Sequence, residues 1–319
     1  MERSFSVVIP AYNEAENIGR LHGEVKRVCE ALKIPYEIIL VDDGSSDSTE
    51  AVCAKLQPIV YVKMRRNFGQ TAAMDAGIKI AKNNYIVTMD GDGQNDPADI
   101  PHLLEQLEAK DLDVVSGWRK NRKDPFSKRF ISRGANFIRK FLINDEINDS
   151  GCSLKIYKRE CFQNLNLFGE MHRFVPAILK NRGFKVGEAI VNHRPRTAGV
   201  TKYNWRRTIK GLLDMISIWF WDRYAVRPIH LLGVVAALMF ALGVIVTIVG
   251  ITFYIKEIAL FSKVLPMVAV FLYLSSLQFL MFGLFGDMLS KNFFSSANEK
   301  SYHIKKIINS RGDQSNGKN

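Results

Sequence analysis

Tyr85-Ile86-Val87-Thr88-Met89-Asp90-Gly91-Asp92-Gly93-Gln94-Asn95-Asp96-Pro97 joins an apolar, β-branched run to two carboxylates one residue apart. The apolar half predicts a strand. Side chains two apart in extended backbone point the same way, so Asp90 and Asp92 converge at that strand's end. A pair of carboxylates at this spacing suits a hard divalent cation, Mg²⁺ or Mn²⁺, and such a cation in turn suits a diphosphate. The adjacent glycines let the backbone come close to whatever the metal holds. A plain acidic turn, with Asp96 capping a helix that Pro97 opens, accounts for Asp96. It leaves Asp90 and Asp92 without a reason.

Outward from this stretch, strand-like and helix-like segments alternate. Phe5-Ser6-Val7-Val8-Ile9 is apolar, as a strand buried on both faces requires. Helices are predicted over Ala15–Leu32, Ser48–Leu56, Gln70–Lys82 and Pro97–Glu108, with strands at Tyr36–Val41 and near Ile59–Met64, Tyr85–Met89 and Asp113–Ser116. The alternation predicts an α/β fold, a mostly parallel sheet with helices on both faces. In such sheets ligands bind beyond the carboxyl ends of the strands. Three polar clusters fall at those ends: Pro10–Glu14, Asp42–Asp47 and Asp90–Asp96. Together they predict one nucleotide-sized site. No Gly-x-Gly-x-x-Gly follows the first strand and no Walker A loop is present, so a dinucleotide-binding Rossmann domain is set aside. A metal is left to hold the diphosphate.

The charge balance points to an anionic partner: 44 Lys and Arg against 32 Asp and Glu give a formal net charge of +12. Two runs, Leu231–Ile255 and Val264–Gly286, contain no charged residue. At about 1.5 Å per residue each crosses a hydrocarbon core of about 30 Å, so two transmembrane helices are predicted. Arg206, Arg207, Lys210, Arg223 and Arg227 precede the first span, and Lys291, Lys300, Lys305, Lys306 and Arg311 follow the second. The connection holds only Lys256 and Lys263 beside Glu257. This bias predicts both termini in the cytoplasm and the hairpin tip outside. No secretory leader is read before the first strand. Cys29, Cys53, Cys152 and Cys161 form no close pair and are expected to be reduced, and the six histidines show no metal-ligand spacing.

With these residues in place, Val8-Ile9-Pro10-Ala11-Tyr12-Asn13-Glu14, Val41-Asp42-Asp43-Gly44-Ser45-Ser46-Asp47, Asn67-Phe68-Gly69-Gln70 and the Asp90 cluster resemble glycosyltransferase family 2, whose catalytic domain has the GT-A fold. The motif order and the two spans resemble its polyprenyl-phosphate branch, which includes dolichol-phosphate mannose synthase and the undecaprenyl-phosphate sugar transferases. The resemblance runs from about Phe5 to Met288. It implies that Pro10, Ala11, Tyr12 and Glu14 line the pocket for base and ribose, with Asp43 accepting a hydrogen bond from the base. It places Asp90 at the ribose and diphosphate, and Asp92 on the metal with Gln94 as helper. Bland roles stand beside these: Pro10 and Asn13 turn the chain, and Asp47 caps the next helix.

Asn148-Asp149-Ser150-Gly151-Cys152-Ser153-Leu154-Lys155 is similar to the family's second acidic site, at the acceptor. A phosphomonoester acceptor has a second pKa of about 6 and is largely ionised at neutral pH, so it needs little activation. Asp149 then positions acceptor or sugar; its bland role is an Asx-turn. An anionic acceptor beside a diphosphate needs cations. The segment Arg119–Arg139 supplies Arg119, Arg122, Lys123, Lys128, Arg129, Arg133 and Arg139. The run His193–Tyr203 resembles the family's Arg…Gly-x-Ser-Lys-Tyr element, with Thr201 in place of serine. Arg119, Arg133, Arg196 and Lys202 are assigned to phosphates, since an arginine fork binds two oxygens at once. General attraction to anionic lipid is the competing role.

The expected organisation is a catalytic domain over 1–203, an interfacial amphipathic helix over 204–226, a transmembrane hairpin over 227–288 and a basic cytoplasmic tail over 289–319. In the helix, Trp205, Ile209, Leu212, Ile216, Trp219 and Phe220 recur at helical spacing. The expected activity is inverting, metal-dependent transfer of one sugar from a nucleotide sugar to polyprenyl phosphate at the cytoplasmic face of a bacterial inner membrane. A UDP-sugar is the favoured donor and GDP-mannose the second choice, and the resemblance implies a homo-oligomer. A processive polysaccharide synthase is set aside because no Gln-x-x-Arg-Trp occurs. A catalytically silent scaffold fits poorly with intact Asp90, Asp92 and Asp149, and nucleic-acid binding lacks a motif.

Overall fold

The computed structural model describes residues 3–120, 147–163, 165–195, 216, 219–220, 223–224, 227–256 and 259–296. Cα proximity divides the chain into two units, Met1–Ile218 and Trp219–Asn319.

In the first unit, β1 (Phe5–Ala11) is buried along its whole length. It lies between β2 (Tyr36–Asp42) and β4 (Tyr85–Thr88) and runs parallel to both. The sheet has seven strands in the order β3-β2-β1-β4-β6-β5-β7, where β3 is Val60–Lys63, β5 Val114–Trp118, β6 Lys155–Lys158 and β7 Val186–Ile190. β6 runs antiparallel to both β4 and β5, and every other pairing is parallel. Helices cover both faces, as the alternation requires. On one face α1 (Ala15–Leu32) and α4 (Ile100–Ala109) pack against Phe5, Val7, Ile9 and Val87; on the other, α3 (Gln70–Ile80) and α5 (Val175–Asn181) pack against Val8, Ile39, Val41 and Ile86. Fully burying an aliphatic side chain of this size contributes about 1.5–3 kcal/mol.

Element boundaries differ from expectation at the ends. The second helix, α2, spans only Thr49–Cys53, and Pro97 opens a tight turn, Pro97–Asp99, ahead of α4. Asp96 accepts a hydrogen bond from the Ala98 N–H at 3.0 Å, the expected cap. The sequence predicts β6 only as a strand of no stated bounds after the Asp149 turn, and does not predict β7. β6 is four residues long, and its lysines disguise a strand. The four cysteines are free and buried.

The second unit contains α6 (Ile229–Ile255) and α7 (Ala259–Ser296). Both include stretches long and apolar enough to cross a membrane, of 27 and 30 residues. They meet along small residues: Ala236, Gly243 and Gly250 are the buried positions of α6, at the seven-residue spacing of a coiled seam. A Cβ at Gly243 would lie 2.8 Å from the Tyr273 ring. Ser276 Oγ donates to the Ala236 carbonyl at 2.8 Å, and Thr247 Oγ1 lies 3.0 Å from the Tyr273 hydroxyl. Large apolar side chains such as Leu238, Met267 and Phe271 face outward. Lys263 lies inside α7 rather than in the connection. Most of the amphipathic helix and of the basic tail lies outside the described residues.

Candidate active site

The strand register brings the first two clusters level. Pro10 pairs with Val41 and Ala11 with Asp42, and the Asp43 N–H donates to the Ala11 carbonyl at 2.8 Å. Asp42 is fully buried; it accepts from the Ser45 N–H at 2.8 Å and the Tyr61 hydroxyl at 2.6 Å. Asp43 is clamped by the Phe68 N–H at 2.7 Å and the Gly69 N–H at 2.9 Å, one on each carboxylate oxygen. Each oxygen keeps a second lone pair for a ligand. Gly44, with φ of 72°, makes this possible: a Cβ there would lie 2.5 Å from the Arg66 carbonyl carbon.

Asn13 and Glu14 take on the turning and capping roles. Asn13 has φ of 56°, and its side-chain oxygen accepts from the Ser46 N–H at 2.8 Å. The Glu14 carboxylate accepts from the Asn17 side-chain amide at 2.7 Å, and its carbonyl receives the first N–H groups of α1. Asp47 accepts from the Thr49 N–H at 3.0 Å and the Ala15 N–H at 3.2 Å, tying α2 to α1.

Asp90 and Asp92 follow β4 directly, beside the end of β1. A Cβ on the intervening Gly91 would sit 3.1 Å from the Pro10 carbonyl. Gln70 Nε2, at the start of α3, donates to Asp90 at 2.6 Å, and the Gln94 N–H donates to Asp92 at 3.0 Å. Burial first, and then the charge of Asp92, push the Asp90 carboxyl above its ordinary range, against the Ser153 hydrogen bond and the charges of Arg119 and Lys155. Among the described residues no three His, Cys, Asp or Glu side chains cluster to hold a metal alone. Two adjacent carboxylates nonetheless fit Mg²⁺ or Mn²⁺, which bind one or two protein carboxylates and take other oxygens from a diphosphate and water.

The second acidic site closes on the first through Asn95. The Asn95 side-chain oxygen accepts from the Asp90 N–H at 3.1 Å and from Ser153 Oγ at 2.7 Å. Asp149 lies three residues before Cys152 and four before Ser153. Its carboxylate takes a fork from Arg119, with Nε at 2.7 Å and Nη2 at 2.9 Å. Burial alone would lower the Arg119 pKa, but the hydrogen bond and charge of Asp149 hold it above its ordinary value. Arg119 and Asp149, expected to act on a phosphate and on the acceptor, are thus brought to each other. Glu188 of β7 fixes this turn by accepting from the N–H groups of Asn148 at 2.8 Å and Asp149 at 3.2 Å. Arg133, Arg196 and Lys202 lie outside the described residues. Arg194 bridges Glu24 and Asp96, both at 2.6 Å.

Four side chains of this site had no assigned role: Gln70, Asn95, Lys155 and His172. Gln70 and Asn95 stand inside quoted motifs. Lys155 carries no such signal: it shares the four-residue β6 with Lys158, and both read as surface lysines.

Carboxylates beyond parallel strand ends, a clamped loop in place of a glycine-rich one, and a further carboxylate across an antiparallel strand define a GT-A glycosyltransferase domain. A solved relative supports the fold. The glucosyl-3-phosphoglycerate synthase from Mycobacterium tuberculosis, in complex with Mn²⁺, UDP-glucose and phosphoglyceric acid, superposes with a TM-score of 0.54 at 16% identity, covering 69% of this chain and 79% of that one. Residues 6–165 match the model of glycosyl transferase family 2, and the chain belongs to that family. It is 37% identical over 312 residues to the dodecaprenyl-phosphate galacturonate synthase of Rhizobium johnstonii, covering 95% of this chain and 92% of the relative. It is 32% identical over 322 residues to the undecaprenyl-phosphate 4-deoxy-4-formamido-L-arabinose transferase of Enterobacter, covering 98% and 96%. The expected likeness to polyprenyl-phosphate transferases is borne out, and the chain is a glycosyltransferase.

Proposed function

We propose that this enzyme transfers a single sugar from a nucleotide sugar to a polyprenyl phosphate at the cytoplasmic face of a bacterial inner membrane, with inversion. The carrying observation is the Asn95 junction, which joins the Asp90–Asp92 turn to the Asp149 segment. This supports a reading in which donor and acceptor machinery share one site. The named relatives act on dodecaprenyl and undecaprenyl phosphate, which supports the acceptor class. A UDP-sugar is the preferred donor, in line with the UDP-glucose of the solved neighbour.

In this reading Pro10, Ala11, Tyr12, Glu14 and Asp43 receive the nucleoside, and Asp90 borders the ribose and diphosphate. Asp92, with Gln94, would hold Mg²⁺ or Mn²⁺, which would supply charge neutralisation for the departing diphosphate. The acceptor phosphate oxygen attacks the anomeric carbon from the opposite side, and Asp149 positions the acceptor or the sugar. Arg133, Arg196 and Lys202 are assigned to phosphates. Arg119 belongs to the same set, its fork being shared with Asp149. Catalysis is mainly positioning and charge stabilisation. The two apolar helices support a membrane hairpin, the placement of Lys and Arg around it supports cytoplasmic termini, and the assembly is a homo-oligomer.

Purified protein in lipid, given undecaprenyl phosphate, Mn²⁺ or Mg²⁺ and separate UDP- and GDP-sugars, should yield one lipid gaining a single sugar mass by mass spectrometry. The product should vanish in Asp92→Ala. Transfer from GDP-mannose alone would reassign the donor. No product with any donor would overturn the reading.

A further inference from the structure

Lys155 is 2% exposed, yet it is an ammonium in a strand core. Burying such a charge is costly, and methionine would fill the same volume without that cost. Its Nζ donates to the Ser150 carbonyl at 3.4 Å and to the His172 carbonyl at 3.3 Å. The two acceptors belong to different segments. Ser150 follows Asp149 directly, whereas His172 belongs to the short turn Met171–Arg173. His172 is itself fixed from behind, since its Nδ1 lies 2.6 Å from Thr71 Oγ1. Thr71 follows Gln70, whose amide holds Asp90.

The sheet register places this ammonium between the two acidic sites. Lys155 pairs with Thr88 on β4, two residues before Asp90, and with Ser116 on β5. Ser116 Oγ is buried with no hydrogen-bond partner among the described residues, which marks polar space at the same cross-strand position. The charges that bear on Lys155 are Cys152, Asp149 and Asp90 favouring the cation and Arg119 opposing it.

We infer that Lys155 is a positioning residue of the transfer site: its buried ammonium pins the Asp149–Ser150 turn to the Met171–Arg173 turn, and so sets the acceptor carboxylate against the donor carboxylates. The inference rests on the transfer reaction proposed above. Lys155 touches neither reactant; it acts through the backbone that carries Asp149. Arginine keeps the charge and can reach the same two carbonyls, whereas methionine keeps the volume and loses both bonds.

The test uses full-length protein in nanodiscs with undecaprenyl phosphate, comparing wild type, Lys155→Met, Lys155→Arg and Lys158→Met. Lys158 lies at the other end of β6, paired with Asp113, and serves as control. Lys155→Met should lower kcat about 100-fold, a size typical of a misplaced catalytic group. Its Kd for UDP with Mn²⁺ should stay within about threefold of wild type, and Lys155→Arg should recover at least about tenfold of the loss. Amide hydrogen exchange should rise about tenfold at Asp149–Ser153 and stay unchanged in β2. Turnover of Lys155→Met within about threefold of wild type, or UDP affinity collapsing in step with kcat, overturns the inference. If wild type makes no lipid product, exchange still decides: local loosening at Asp149–Ser153 upholds the positioning role while the transfer reading falls, and unchanged exchange removes both.

Discussion

The proposed donor and acceptor ends of this site hold their carboxylates by different means. At the proposed donor end Asp43 takes hydrogen bonds from two backbone N–H groups and Asp90 takes one from the Gln70 amide, all neutral donors. At the acceptor end Asp149 carries the two-pronged fork of Arg119. Neutral donors orient a carboxylate and leave its charge for a cation to meet. A guanidinium fork cancels the charge it orients. In the proposed reading the donor carboxylates Asp43 and Asp90 are thus left to meet positive charge that arrives with the ligand, whereas the charge of Asp149 is already met by Arg119.

That contrast breaks most sharply at Asp92. Asp92→Ala should lower turnover by at least about 1,000-fold, a loss near 4 kcal/mol of transition-state stabilisation. Chelating the divalent cation should depress wild type by a similar factor and leave Asp92→Ala unchanged. A chelation-resistant wild type would show that the donor end completes its charge balance some other way. At the acceptor end the pair itself is the target. Arg119 and Asp149 are only 11% and 17% exposed at their side chains. Removing one partner strands a buried charge, so Arg119→Met and Asp149→Ala should each destabilise by about 3 kcal/mol. The double variant should cost clearly less than their sum in urea unfolding, the mark of coupled residues.

Lys155 gives the comparison a pH axis. Burial, against the pull of Cys152, Asp149 and Asp90, lowers its pKa from 10.5 to about 8. In the folded protein it therefore gives up its proton while the unfolded chain still holds one. Between about pH 8 and 10.5 stability should rise with pH, by about 3 kcal/mol in all, and the gain should be lost as pH falls through 8. Turnover should move the other way, falling as pH rises through about 8 and the ammonium loses its charge. Lys155→Met should abolish both slopes relative to wild type, measured by denaturant titration and by initial rates.

The two ends were also unequally legible. Donor-end residues sit within a few positions of a strand's carboxyl end, so Asp43, Asp90 and Asp92 could be placed from apolar runs and turn residues alone. Pro97 and Asp96 marked the helix that follows for the same local reason. The acceptor end is assembled from afar. Arg119 meets Asp149 across 30 positions, and Glu188 reaches back 40 to Asn148. β6 enters the sheet in reverse between β4 and β5, and no periodicity in four residues announces that. Lys155 was quoted without a role because a lysine in a short segment reads as surface, and only the register shows it lies inward. The glycine seam of α6 and α7 was equally hidden, for hydropathy reports that a helix is apolar and not which of its faces meets a neighbour.

Asp43 sharpens the donor side. Asp43→Ala strands the N–H groups of Phe68 and Gly69, each costing about 1–3 kcal/mol if left unpaired. Asp43→Asn keeps an acceptor for only one of them and should fall between. Calorimetric melting should rank wild type above Asn and Asn above Ala, with UDP affinity falling in the same order. Asn falling to the level of Ala would mean that the Asp43 charge, rather than its hydrogen bonds, organises the loop.

The smallest effect is expected one residue earlier. Asp42 is fully buried behind Asp43, and the Tyr61 hydroxyl is one of its hydrogen-bond donors. Burial first and then Asp42 raise the Tyr61 pKa, so the phenol stays protonated and donates throughout the working range. Tyr61→Phe removes that donor while keeping the ring, and the Ser45 N–H remains on the carboxylate. The loss should be about 1.5 kcal/mol, the worth of a hydrogen bond to a charged acceptor. Asp42 shapes the turn without facing the ligand, so UDP affinity should stay within about twofold and turnover should follow it. A larger drop in affinity than in stability would place Asp42 in the donor end proper, and the neutral scaffolding there would extend one layer deeper than Asp43.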